Sequence, residues 1–112
     1  MDELRAEGIR KYFLRGSRRV EALIDAEISL KCGELVFLVG ASGSGKTTMM
    51  NIIGCMDKPS LGEVILDGTD ITKRSQKELT EVRRDKIGLV FQQFHLVNYL
   101  TALENVMMAQ YY

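Results

Sequence analysis

The chain has 112 residues, 46% hydrophobic and 27% charged, and its fifteen basic and fifteen acidic residues cancel. That length suits a single core, and the neutral balance excludes a global field drawing the chain to nucleic acid or anionic lipid. The apolar runs are too short to span a bilayer and the Met-Asp-Glu-Leu-Arg start resembles no signal peptide, so any tie to a membrane is expected to run through a partner protein.

Taken in chain order, Ile24 to Lys31 (IDAEISLK) alternates apolar and polar residues, the pattern of a strand with one wet face. Cys32 and Cys55 lie far apart without a CxxC spacing, which favours two free thiols over a disulfide and, with a single His, offers no zinc set. Leu35 to Val39 (LVFLV) is apolar throughout and predicts a strand covered on both faces, as in parallel sheets. The stretch GASGSGKTT, Gly40 to Thr48, begins directly at its end. KTTMMNIIGCM then predicts a helix buried between sheet and neighbours, stopped by Asp57-Lys58-Pro59. GEVILDG predicts a short strand of a meander with an Asp67-Gly68 turn.

Ser75-Gln-Lys-Glu78 has the form of a capping box and predicts a mostly polar helix from about Ser75 to Arg84, with Leu79 and Val82 inward. The run KRSQKELTEVRRDK, with six basic and three acidic residues, reads as a solvated helix face, with a phospholipid or partner contact as the alternative. Ile87 to Phe91 (IGLVF) predicts a second continuous apolar strand. A second box, Thr101-Ala-Leu-Glu104, opens a helix whose Leu103, Val106 and Met107 share one face and need something to pack on.

Gly40, Gly45, Lys46 and Thr47 occupy the specified positions of the phosphate-loop pattern G-x-x-x-x-G-K-[ST]. Glycines let successive N–H groups turn inward around phosphate oxygens, and the following helix offers its positive end to the same oxygens. Lys46 is expected to lie between β- and γ-phosphates, Thr47 to offer its hydroxyl to Mg²⁺, and Thr48 to meet the α-phosphate. The bland alternative is a Gly/Ser-rich turn with a solvated lysine. A small-molecule kinase or a GTPase would use the same loop.

IGLVFQQFHL, Ile87 to Leu96, ends a strand in Gln92 and resembles the Q-loop of ABC-type ATPases. With ISLKCGELVFLVGASGSGKTTMMNIIGCMDKPSLGEVILDGTDI, RRDKIGLVFQQFHL and LTALENV, the chain resembles the ATP-binding subunit of the lipoprotein-release and macrolide-export branch of ABC transporters. The resemblance implies an α/β P-loop NTPase fold, here a partial ABC-type nucleotide-binding domain over residues 1–112. Its parts would be a parallel core sheet with phosphate loop and helix plus an antiparallel β subdomain, ending at the start of the helical subdomain. It also implies that Gly40, Ala41, Ser42, Gly43, Ser44, Gly45, Lys46, Thr47 and Thr48 hold ATP, with Lys46 and Gln92 catalytic and Thr47 and Gln92 on Mg²⁺.

The family stacks an aromatic ring near its N-terminus on adenine; an ungapped alignment at Gly16 puts Phe13 there, with Tyr12 as the alternative and core filler as the bland reading. Only one of the two neighbours can face the base. Gln93 is read as structural and His95 as an exposed loop residue, because the family's switch histidine belongs further on. Where the branch often has Pro after the Q-loop, this chain has Asn98-Tyr99.

No LSGGQ-like signature, no apolar strand ending in Asp-Glu, no D-loop and no switch histidine occur in the sequence. The resemblance therefore implies a phosphate grip without its hydrolytic counterpart, expected to bind nucleotide weakly and not to turn it over. In the complete protein the expected partners are a transmembrane permease and a second nucleotide-binding subunit, placing it peripherally on the cytoplasmic membrane without insertion and without nucleic acid. The rival reading is a non-enzymatic fragment or remnant that binds a transporter subunit. A P-loop kinase lacks a candidate base and acceptor pocket.

Overall fold

The computed structural model describes residues 2–41, 43–90 and 96–109. A long hairpin, β1 (Asp2–Arg15) and β2 (Arg18–Lys31), leads to α1 (Lys46–Ile53). A short hairpin follows, β3 (Leu61–Leu66) and β4 (Thr69–Asp70), then α2 (Gln76–Lys86) and α3 (Ala102–Ala109). The four strands form one antiparallel sheet in the order β2-β1-β3-β4. The β3–β4 turn places Asp67 at φ 51° and Gly68 at φ 79°, the paired positive angles whose twist suits a two-residue hairpin.

The core gathers Leu4, Ala6 and Ile9 of β1, Val64 of β3, Ile71, Ile52 of α1, Cys55 and Leu79 of α2. The face of β1 that carries Leu4, Ala6 and Ile9 is thus the face on which α1 and α2 sit. The expected alternation over IDAEISLK holds for Ala26, Ile28 and Leu30 but fails at Ile24, which is exposed. The reason is a register slip between the pairs Ile9↔Ala26 and Lys11↔Leu23, with Asp25 at φ 49°. An extra residue in one strand turns its neighbours to the opposite face. A second slip, between Lys11↔Leu23 and Tyr12↔Glu21, leaves Ala22 without a partner on β1.

Helix α1 ends earlier than its sequence suggests, at Ile53 rather than at Asp57-Lys58-Pro59. Cys55 takes a left-handed φ of 62°, and the Met56 and Asp57 N–H groups both close on the Asn51 carbonyl (2.8 and 3.1 Å). That is the wrap by which a helix satisfies its last carbonyls. Arg83 of α2 donates to the Cys55 carbonyl, tying the two helices. Both cysteines are free thiols, Cys32 exposed and Cys55 buried, and burial pushes the Cys55 thiol up. The Ser75 and Glu78 capping box is complete, and Thr101 and Glu104 exchange the same pair of hydrogen bonds at the start of α3.

The two apolar runs expected as parallel strands differ from expectation. Residues 35–39 carry no strand pairing and are exposed, Val39 at 84%; residues 87–90 are likewise unpaired, with Val90 fully exposed. Phe91 lies outside the described residues. A strand buried on both faces needs a neighbour along each edge and helices over each face. Among the described residues the only sheet is the antiparallel one, and neither run joins it. On α3, Leu103, Val106 and Met107 stay exposed, so the face expected to pack is uncovered among the described residues.

Gly45, at the N-cap of α1, has φ 93°, and a β-carbon there would lie 2.8 Å from the Ala22 carbonyl oxygen and 2.9 Å from Leu23 Cδ2. Gly45→Ala is expected to cost about 1–3 kcal/mol in urea unfolding. Gly16→Ala, at φ 63° with open space around it, serves as the control and should cost less. Equal losses in the two variants would show that only the backbone angle matters.

Hydrogen bonding by Thr72, through its side chain and its N–H (2.8 Å to Oδ1), holds the Asp70 carboxyl below its ordinary value of 3.8, helped by Lys73 and Arg74. A depressed carboxylate stabilises the fold above its unfolded pKa, and that contribution fades as pH falls through the folded one. Asp70→Asn should therefore melt below the wild type above about pH 4, with the gap closing under more acid conditions. A gap that persists unchanged at low pH would place its cause elsewhere.

Candidate functional site

The loop from Gly40 to Thr48 enters α1 through a tight turn, in which the Ser44 N–H donates to the Ala41 carbonyl (3.1 Å). Gly43 and Gly45 have φ of 82° and 93°. The first main-chain bond of α1 runs from Met49 N–H to the Gly45 carbonyl (2.9 Å). The N–H groups of Lys46, Thr47 and Thr48 therefore stand ahead of the helical ladder, and no side chain caps them. No acidic residue lies in the first turn. Unsatisfied N–H groups and the aligned peptide dipoles together make this end electropositive.

Lys46 Nζ donates to the Gly40 carbonyl, so the ammonium spans the loop from its last residues to its first. A β-carbon on Gly40 would come within 2.6 Å of Ser44 Oγ, so the first part of the loop lies close against its later residues. The Thr47 and Thr48 hydroxyls make no hydrogen bond among the described residues, Thr47 exposed and Thr48 half-buried. A loop of free N–H groups, one ammonium and two free hydroxyls suits an anion rich in oxygen and a hard cation held through it. Ser42 and Gln92, together with Gln93 and His95, lie outside the described residues.

The two candidate aromatics point to opposite faces of β1. Lys11 pairs with Leu23, whose side chain reaches Gly45, and Lys11 Nζ lies 5.2 Å from the centroid of the Phe13 ring. Phe13 thus shares the face that carries α1 and its loop, and 43% of it is exposed. Tyr12 pairs with Glu21 on the other face, where the Arg19 guanidinium covers its ring at 3.7 Å. Its N–H donates to Ser60 Oγ (3.2 Å).

Sequence reasoning passed over two residues that shape this region. Ala22 presents its carbonyl to Gly45, and no local pattern announces the bulge that frees it. Lys11 was legible in principle, since a residue two positions from Phe13 on a strand shares its face.

Known proteins share this sequence and geometry. The family model described as ABC transporter matches residues 23–112. "Uncharacterized ABC transporter ATP-binding protein MJ0796" of Methanocaldococcus jannaschii is 48% identical over 103 residues, covering 92% of this chain and 44% of that protein. The "Macrolide export ATP-binding/permease protein MacB" of Photorhabdus laumondii is 42% identical over 103 residues, covering 92% of this chain and 16% of that one. The chain therefore spans less than half the length of these curated relatives.

Among solved structures, the dimeric post-hydrolysis state of the MJ0796 cassette bound to ADP and Pi superposes with a TM-score of 0.89 at 47% identity. That likeness covers 95% of this chain and 46% of that one. The fold is accordingly that of a partial α/β ABC cassette, carrying the antiparallel sheet. Residues 23–112 match the family model, and the chain belongs to the ABC transporter family of ATP-binding proteins.

Proposed function

We propose that the chain supplies the nucleotide grip of an ABC exporter's ATP-binding subunit, and that the complete protein couples Mg-ATP hydrolysis to transport by a membrane permease. One observation carries this reading: the start of α1 is uncapped and Lys46 Nζ closes on the Gly40 carbonyl, an arrangement that suits phosphate oxygens. Incoming phosphate oxygens would take the ammonium from the Gly40 carbonyl, exchanging a neutral acceptor for a charged one, which strengthens the bond. The residues Gly40 to Gly45 would wrap the phosphates with their N–H groups, and Thr48 would meet the α-phosphate.

Thr47, whose hydroxyl is free, would hold Mg²⁺ together with Gln92. Bound there, the cation neutralises charge that develops on the transferred phosphoryl group. Phe13 would stack on the adenine, because it shares the loop's face, whereas Tyr12 lies on the opposite face of β1. In this reading Gln92 links the site to the permease, and a second nucleotide-binding subunit faces the loop. The solved MJ0796 cassette is a dimer, and the MacB name joins ATP-binding and permease functions. Both support that arrangement, as well as a peripheral place on the cytoplasmic membrane. Among the described residues no helix is long and apolar enough to cross a membrane.

The 112-residue chain itself carries no signature segment and no Asp-Glu strand end in its sequence, so it is proposed to bind nucleotide weakly without turnover. A non-enzymatic role, docking on a transporter subunit, is favoured by one feature, the uncovered Leu103, Val106 and Met107 face of α3. Equilibrium dialysis should show ATP binding by the purified chain that Lys46→Ala weakens by about tenfold or more, with no sustained phosphate release from either protein. Steady hydrolysis abolished by Lys46→Ala would overturn the proposal of no turnover. ATP binding that ignores the substitution would overturn the grip. Co-purification with a membrane protein, undiminished by Lys46→Ala and without ATP binding, would favour the docking role.

A further inference from the structure

Among the described residues, Lys11 is the one basic side chain of the β1–β2 hairpin that turns inward, with only 14% of it exposed. An ammonium withdrawn this far from water needs compensation. It has three neighbours: the Asp57 carboxylate at 3.2 Å, the Lys58 carbonyl at 2.7 Å and the face of the Phe13 ring at 5.2 Å. Asp57 in turn accepts the Lys58 N–H (2.8 Å), so both acceptors belong to one fixed turn. That turn follows α1 directly, and its Asp57 N–H is wrapped onto the Asn51 carbonyl of the helix.

We infer that Lys11 is a positioning residue for the base-stacking ring, joining Phe13 to the far end of the helix whose near end carries the phosphate loop. The inference rests on the proposed reading of Phe13 as the aromatic that stacks on adenine. Helix α1 has eight residues and is about 12 Å long, so its two ends move as one body. Phosphates would bind ahead of Lys46; Lys11 is clamped behind Ile53. Through Lys11, the aromatic ring is registered against the same short rod that holds the phosphates.

The ammonium over one face of Phe13 has two effects. It fixes the ring by an electrostatic attraction to the π-face, and it leaves only the opposite face for a flat base. A ring held in one pose loses less freedom when a base stacks on it, which strengthens binding without a new contact. If Lys11 merely stitched β1 to the turn at 57–58, its loss would disturb the whole cradle, and every phosphate ligand would suffer alike. A positioning role acts only on ligands that carry a base.

The test compares ATP with inorganic tripolyphosphate as probes, using ligand-observed NMR titrations of the full 112-residue chain. Lys11→Met keeps the apolar stem and removes the charge. It is expected to weaken ATP about three- to tenfold while leaving tripolyphosphate within about twofold. Lys11→Arg should restore most of the loss, and Lys11→Met should add little in a Phe13→Ala background. Should Lys11→Met fail to fold, Asp57→Asn loosens the anchor without removing the cation, and a smaller loss confined to ATP supports the same role. Equal weakening of both probes, or no weakening of ATP, overturns it. If Phe13→Ala lowers the preference for ATP over tripolyphosphate but Lys11→Met does not, the positioning role alone falls. An unchanged preference in Phe13→Ala removes the base-stacking reading and the inference with it.

Discussion

The placement of the phosphate loop depends on one close approach, the backbone of Gly45 against the carbonyl of Ala22. Two constraints meet there. The chain must reverse at φ 93° to start α1, and no β-carbon fits in the space between loop and strand. The bulge at Ala22 makes the approach possible, because an unpaired residue in β2 turns its carbonyl out of the ladder. The glycine that the phosphate-binding pattern demands is thus also demanded by packing. Helix α1 with Lys46 starts at this point, and the turn at 57–58 follows at its far end.

Local chemistry was the legible part of the fold. Capping boxes at Ser75 and Thr101, the Asp67-Gly68 turn and the inward side chains Ala26, Ile28 and Leu30 all follow from interactions within a few residues. The end of α1 was not legible in the same way, because Cys55 adopts a backbone angle usually left to glycine, and a buried thiol gives no sign of it. Ile24 was missed for a related reason. Alternation predicts a face only while the register holds, and a slip is decided by the partner strand.

Of the loop, the glycines are legible as the residue type that its positive φ at Gly43 and Gly45 requires. For the aromatic, spacing from Gly16 favours Phe13 over Tyr12, while the faces on which the two rings lie depend on the pairing of β1 with β2. Leu4, Ala6, Ile9 and the clamped Lys11 define the inward face, and Phe13 continues it. The contribution of Lys11 depends on Asp57, 46 positions away, and such a pairing leaves no local trace. Relations of this length are fixed by topology, here the return of the chain through α1 to the edge of β1.

The unpaired run Leu35 to Val39 has a consequence for the life of the chain outside its site. Five consecutive apolar residues, rich in valine and aromatic character and without charge or proline, have the composition of segments that stack between molecules into cross-β ladders. Glu34 is the nearest charge on the N-terminal side, and beyond Gly40 the loop offers none until Lys46. A segment exposed in this way meets the compositional and geometric requirements for pairing with like copies, whatever the overall charge balance.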